Sequence, residues 1–141
     1  MLPPPSTLAT LLDSALEHAS PLFLAFTPAY THSVLVPTAQ YSVGLSALHA
    51  LGTVHALIGV GASLAGSDAG AARCALLADS ALACAGVLSA PSLAAAETLF
   101  AAGALARLRR PAADERARQL LGLAGQMCYS VRERGWDQYG Y

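Results

Sequence analysis

The chain has 141 residues, of which 55% are hydrophobic and 12% are charged, and its net charge is -1. This length fits one domain spanning residues 1–141, and the charge excludes a broadly basic surface for nucleic acid. All eight basic residues are Arg, so the Lys of a Walker A phosphate loop is absent and that class of nucleotide triphosphatase is excluded. The charged fraction is about half the ~25% of ordinary globular domains, which indicates that other sequence or lipid covers part of the apolar surface.

The three cysteines, Cys74, Cys84 and Cys128, lie far apart in the sequence. Zinc sites and small disulfide scaffolds use closely spaced pairs, so we predict buried free thiols. No basic segment precedes an apolar run at the start of the chain, so no secretory signal is predicted and a reducing compartment is expected.

The first predicted helix covers about residues 7–19, where Ser6 or Thr7 caps an apolar face. The next segment, Ser20 to Gln40, contains three prolines and several aromatic residues. Closely spaced prolines disfavour a regular helix, whereas the aromatic content argues against disorder. We therefore expect an ordered, packed connector.

A long apolar run, Val43 to Gly66, follows a potential cap at Ser42. It is apolar on every side, so the segment is either the central helix of a soluble bundle or a membrane span near residues 43–65. The histidines His49 and His55 and the lack of flanking basic residues favour the buried soluble helix. The alternative class is a small helical membrane protein.

Two further helices are predicted before residue 111. Gly66, Ser67, Asp68 and Gly70 form a turn and a cap, and the third helix then carries Cys74, Leu77, Ala81, Ala85 and Leu88 on its apolar side. Pro91 and Ser92 open the fourth helix, which carries Leu93, Leu99, Phe100, Gly103 and Leu108. Arg107 to Pro111 end it.

The fifth helix is the most clearly patterned and begins at Asp114, which pairs with Arg118. Gly135 is predicted to end it. Its buried stripe contains Leu120, Leu121, Ala124, Met127, Cys128 and Val131. The fold class is thus all-α: an irregular bundle of about five helices in packed antiparallel pairs, with no sheet.

No residue set predicts catalysis. His49 and His55 are separated by about 120° around a helix, so they do not form one metal site. The Gly59–Gly66 stretch lacks the third glycine of a dinucleotide loop and is interpreted as a helix end. The carboxylates are assigned mostly to caps and polar faces, and Arg107, Arg109 and Arg110 to a helix C-terminus. We therefore predict no catalytic, cofactor-binding or metal residues and no cofactor, and we leave ligand-binding residues unassigned.

Read in order, four segments resemble the middle homology region of fungal zinc-cluster transcription factors, also called the fungal-specific or xylanolytic-activator regulatory domain. Leu11 to Phe26 resembles the family's opening, with a Pro-Leu-Phe turn, and Ala47 to His55 resembles the next helix. Pro91 to Phe100 resembles the Pro-Ser-Leu helix start, and Arg116 to Asp137 resembles the segment that contains a Leu-Gly-Leu-Ala helix. The family's six-cysteine zinc cluster is missing.

The resemblance implies a regulatory, non-enzymatic helical domain of a nuclear transcription factor. It implies that the parent protein contacts DNA elsewhere, while this chain packs against the remainder of that protein, other protein partners or a second copy of itself. Direct contact with nucleic acid and insertion in a membrane are not expected. The family's domain continues with more helices, so we expect this chain to be incomplete at its C-terminus, with an exposed apolar patch near Met127, Val131 and Trp136.

Overall fold

The structure, a computed structural model, describes residues 4–19, 26, 28–41, 44–85, 93–109 and 114–139. Within these ranges the chain is helical and has no strand, so the predicted all-α class is confirmed. Five of the helices are long, as predicted. In chain order the elements are α1 (Pro5–Ala19), α2 (Pro28–Tyr30), a π-helical turn (Thr31–Leu35), α3 (Val36–Tyr41), α4 (Leu45–Leu64), α5 (Asp68–Ala85), α6 (Leu93–Leu108) and α7 (Asp114–Tyr139).

Helix α4 is the centre of the bundle. It contacts α1, α3, α5 and α6, and α7 packs on the far side of α6. Every residue from 52 to 62 is buried, which explains why the sequence of this helix is apolar on all sides. The largest fully buried side chains include Val54 and Leu57 of α4 and Leu99 and Leu105 of α6.

Glycines allow the other helices to approach α4 closely. A Cβ atom at Gly61 would overlap the backbone carbonyl of Leu11, so α1 lies directly on the α4 backbone there. A Cβ at Gly52 would meet the Thr98 Cγ2 of α6 at 2.8 Å. These glycines are therefore required by packing and not by backbone conformation.

The turn between α4 and α5 has the predicted chemistry. Gly66 has a φ of 86°, and the Ser67 N–H donates to the Ala62 carbonyl at 2.8 Å, the bond of a Schellman motif. The Ser67 hydroxyl then accepts the Gly70 N–H at 3.2 Å. This short turn makes α4 and α5 an antiparallel pair.

The connector is packed, as expected, since Phe26, Thr31 and Leu35 are buried, but residues 28–41 are helical, which the closely spaced prolines were expected to prevent. Pro28 occupies the first position of α2, where its missing N–H costs nothing. Ahead of Pro37 the chain forms the π-helical turn, in which the Val36 N–H donates to the Thr31 carbonyl. The wider turn accommodates a proline that a regular α-helix would exclude. Ser20 to Ala25 lie outside the described residues.

Two helix starts differ from the prediction. Helix α1 begins at Pro5, so Ser6 and Thr7 lie in its first turn, and the Ser6 carbonyl accepts the Thr10 hydroxyl at 2.9 Å. Helix α4 begins after Gly44, whose φ is 85° and which a side chain cannot cap. Ser42, the predicted cap, lies outside the described residues, as do Leu88, Pro91 and Ser92.

Two predictions, the end of α7 and the burial of the thiols, are also wrong. The α7 backbone continues through Gly135 to Tyr139, because a glycine ends a helix only where its φ becomes positive, as at Gly66. Cys84 and Cys128 are exposed, and Cys74 is half-buried; all three are free. Met127 is buried against the core, as predicted for the α7 stripe, so it is not itself part of the expected exposed patch. The side chains of Val131 and Trp136 are outside the described residues.

One described helix is long and apolar enough to cross a membrane. The stretch Ala47–Leu64 has a mean hydropathy of 1.5, and 72% of it is buried inside the bundle. The core helix of a soluble protein satisfies the same length and hydropathy criteria.

The close contact at Gly61 predicts a sharp difference between two glycine substitutions. Gly61→Ala should lower the free energy of unfolding by about 1–3 kcal/mol, because α1 must move away from α4. Gly122→Ala should raise it by about 0.5–1 kcal/mol, because a Cβ there meets nothing within 4 Å and alanine favours the helix. Urea denaturation followed by circular dichroism measures both, and equal effects would contradict the packing described for α1.

Candidate functional site

A pocket of about 110 Å³ lies where the π-helical turn meets α4 and α6. Its walls combine apolar side chains with a few polar ones, the composition typical of small-molecule sites. The π-helical turn supplies one wall, and such turns are common at functional sites. The lining residues are Tyr30, Val34, Leu35, Thr38, His49, Ala50, Thr53, Ala94 and Glu97.

Tyr30 and Glu97 close one side of the pocket. The Tyr30 hydroxyl donates to Glu97 Oε1 at 3.1 Å, which joins the segment before the π-helical turn to α6. The two residues are 67 positions apart in the sequence, so only the packed bundle brings them together. The bond fixes the direction of the carboxyl group and uses one of its two oxygens.

Two threonines support the pocket from within the core. The Thr53 hydroxyl lies 2.8 Å from the Thr98 hydroxyl, and both lie within 3.0 Å of the His49 backbone carbonyl. The Thr53 bond to His49 lies within α4, whereas the two contacts of Thr98 connect α4 to α6. Because all three residues are buried, these contacts constrain how the two helices align. The Thr98 hydroxyl is also 2.9 Å from the Ala94 carbonyl.

Three buried polar atoms have no hydrogen-bond partner among the described residues. They are Thr31 Oγ1, His49 Nδ1 and Glu97 Oε2. Most buried polar atoms in folded proteins are bonded, so an unpaired group calls for a structural or functional explanation. His49 and Glu97 both line the pocket, which makes this pair the principal candidate for contacting a ligand.

Burial changes the ionisation of the pocket side chains. It raises the pKa of Glu97 above its usual range, and the bond from Tyr30 opposes this shift only partly. Burial, together with the bond to Glu97 and its charge, raises the pKa of Tyr30 to about 12. Burial lowers the pKa of His49, so its imidazole stays neutral at physiological pH. The pocket is therefore a poorly hydrated place with one acidic side chain.

The predicted separation of the two histidines is confirmed. His49 lines the pocket, whereas His55 is buried elsewhere on α4, and burial lowers its pKa as well. In the part of the chain that the structure describes, no group of three or more His, Cys, Asp or Glu side chains is arranged to hold a metal ion. The Gly59–Gly66 stretch is the end of α4, as interpreted.

Most of the described carboxylates lie on the surface, as expected; two of them form ion pairs with arginine, and Asp13 forms a hydrogen bond with His32. Asp13 contacts His32 at 2.9 Å, Asp79 contacts Arg116 at 3.1 Å, and Glu115 contacts Arg118 at 2.7 Å. Exposed pairs of this kind contribute about 0–1 kcal/mol each. Arg118 thus pairs with Glu115, although the sequence predicted Asp114, whose side chain is outside the described residues.

Glu97 departs from the prediction for carboxylates, because it is half-buried in the pocket and not on a polar face. The arginines assigned to the end of α6 lie near it: Arg107 is in the last turn and is exposed, and Arg109 directly follows. Arg110 lies outside the described residues. Neither Arg107 nor Arg109 lines the pocket.

The residues that build the pocket were not predicted from the sequence. Glu97 and Thr98 are the only polar side chains in the first three turns of α6, and Thr53 interrupts the apolar α4. Adjacent polar residues in an otherwise apolar helix were the available signal. Tyr30 carried no such signal, because its role depends on the helical path of residues 28–41.

Comparisons of the chain with protein-family models, with curated proteins and with solved structures found no match. The function of the pocket is therefore argued from its own geometry.

The threonine network predicts opposite effects for two threonine-to-valine substitutions. Thr98→Val should lower the free energy of unfolding by about 1–2 kcal/mol, because it removes hydroxyl bonds between α4 and α6. Thr31→Val should leave it unchanged or raise it by up to about 1 kcal/mol, because the Thr31 hydroxyl is buried without a partner. Chemical denaturation measures both values. A stabilised Thr98→Val variant would contradict the network.

The raised pKa of Glu97 predicts a pH-dependent gain from Glu97→Gln. A raised pKa in the folded state means that wild-type stability is present below the unfolded pKa and is lost as pH rises through the folded pKa. The glutamine variant avoids this loss and retains an acceptor for Tyr30. It should therefore match the wild type at about pH 3.5 and be more stable at about pH 7.5.

The matched control for this measurement is Glu17→Gln, which changes an exposed carboxylate on α1. It should show no comparable gain. If urea denaturation gave Glu97→Gln the lower stability at the higher pH, the ionised carboxylate would be stabilised by the fold and the description of the pocket as poorly hydrated would be wrong.

Proposed function

We propose that the chain is a helical regulatory domain of a nuclear transcription regulator, and that it acts by binding and not by catalysis. The observation that carries this proposal is the order of the four family-like segments along the chain. The described parts of these segments fall on α1, α4, α6 and α7, the helices that build the core. Their resemblance to the fungal regulatory domain thus concerns residues that determine packing.

The polar groups of the pocket support a binding role. Catalysis by a hydroxyl nucleophile needs an adjacent base that accepts its proton. The Thr53 and Thr98 hydroxyls are instead 3.0 Å and 2.9 Å from the His49 backbone carbonyl, which is not a base. The Tyr30 hydroxyl is held by a carboxyl group, and its pKa of about 12 keeps it protonated. These groups are suited to fixing the shape of the pocket and to binding a ligand.

The charge of the chain supports a role away from the DNA contact itself. Affinity for DNA depends on basic side chains that displace counterions from the phosphates, and the net charge here is -1. In the parent protein, a separate domain would bind DNA and this domain would contact other parts of the same protein or other proteins. Nuclear localisation follows from that role.

The alternative function, a small helical membrane protein, rests on the apolar stretch Ala47–Leu64. Burial of most of this stretch by neighbouring helices supports the regulatory proposal instead, because a lipid-facing helix would leave its apolar side uncovered. Fractionation in buffer without detergent separates the two. A chain that sediments with membranes, and is released only by detergent, would contradict the regulatory proposal.

Tethering tests the regulatory role directly. When the chain is fused to an unrelated sequence-specific DNA-binding domain in a fungal cell, reporter transcription should change several-fold relative to that DNA-binding domain alone. Leu12→Asp, which places a charge at a fully buried core position, should abolish the change because it unfolds the bundle. Arg73→Ala, at an exposed position, should retain it. Reporter levels that are equal with and without the folded chain would overturn the proposal.

A further inference from the structure

We propose that the pocket between the π-helical turn, α4 and α6 binds a small organic cation, a primary ammonium ion with a short apolar body, through Glu97 and His49. This inference adds a ligand class to the proposed regulatory domain. The interpretation of the pocket as an effector site rests on that proposed function. Binding itself is argued from the pocket alone, so it can be tested whether or not the chain regulates transcription.

The size of the pocket limits the ligand. An apolar cavity of about 150 Å³ holds benzene, which has six heavy atoms. A volume of about 110 Å³ therefore fits a molecule of roughly four or five heavy atoms. Val34, Leu35 and Ala50 provide apolar surface for a short hydrocarbon chain.

The charge of the pocket selects a cation. Glu97 is the only acidic residue among the lining residues, and none of the described arginines lines the pocket to neutralise it. Its carboxyl group has lost water on burial, and Tyr30 satisfies only one of its oxygens. An ammonium group bonded to Oε2 would supply a hydrogen bond and an opposite charge and so favour the ionised carboxylate. An anion or a second carboxylate would be repelled.

His49 provides a second acceptor without opposing the charge. Its Nδ1 is unpaired, the residue is only 4% exposed, and burial keeps the ring neutral. A neutral imidazole accepts one hydrogen bond, whereas an imidazolium would repel the ligand. An ammonium ion has three N–H donors, enough for both His49 Nδ1 and Glu97 Oε2. These two atoms are the unpaired polar atoms of the lining residues. Both atoms are covered, so the ligand reaches them when the Glu97 and His49 side chains turn toward the cavity.

The probe for the test is n-butylammonium, with n-butanol as its neutral counterpart of similar shape. Protein-observed NMR titration of the full chain should give saturable shifts for residues of the pocket, with a Kd of about 1 mM or tighter for n-butylammonium. Glu97→Gln should weaken n-butylammonium binding at least about tenfold and leave n-butanol binding unchanged, because it removes the charge and keeps the shape. Glu17→Gln, the exposed control, should bind like the wild type.

A pocket-filling variant, Ala94→Leu, should abolish binding of both probes without changing any charge. Circular dichroism establishes that each variant is folded, and Glu97→Gln is expected to be at least as stable as the wild type. Absence of binding to the wild type, equal affinity for the two probes, or n-butylammonium binding that survives undiminished in Ala94→Leu or Glu97→Gln would each overturn the proposal. Failure of the tethered reporter alone would overturn the regulatory role and leave the binding result intact.

Discussion

The bundle depends on the close approach of other helices to α4. At Gly61 the backbone of α1 lies directly against that of α4, and Gly52 leaves room for α6 to pack against the same helix. Because α4 is surrounded by α1, α3, α5 and α6, its sequence must be apolar on every side and small wherever a neighbour crosses. The low fraction of charged residues in the chain is partly explained by this central helix.

The positions of the polar groups in the core depend on this packing of helices around α4. Thr53 and Thr98 face each other because α4 and α6 are close enough for their hydroxyls to meet at 2.8 Å. The contacts of the Thr98 hydroxyl with Thr53 and with the His49 carbonyl fix the relative positions of the two helices, and Glu97 lies next to Thr98 on α6. The same packing contact that stabilises the core therefore determines where the carboxyl group of the pocket lies.

Much of the helical framework could be predicted from local sequence. Gly66 and Ser67 specify the turn before α5 through their own backbone and side-chain chemistry, so the prediction there was correct. Glu97 was grouped with carboxylates assigned mostly to caps and polar faces, because periodicity alone does not reveal which helix lies opposite. The path of residues 28–41 was missed because a π-helical hydrogen bond, from Val36 to Thr31, offsets the proline that local rules treat as a break. The pocket depends both on which helix lies opposite Glu97 and on the helical path of residues 28–41. Its residues were therefore not predicted.

The π-helical turn has a consequence for how this part of the fold tolerates change. Such a turn contains one residue more than the α-helical turn that it replaces. The Val36 N–H reaches the Thr31 carbonyl across this extra residue, so deletion of one residue within Thr31–Leu35 would leave the same two groups bonded as in an α-helix. Tyr30 and Thr38, on either side of the turn, would keep their places in the pocket wall. A deletion within α3, where no wider turn absorbs it, would instead rotate the residues beyond it by about 100°.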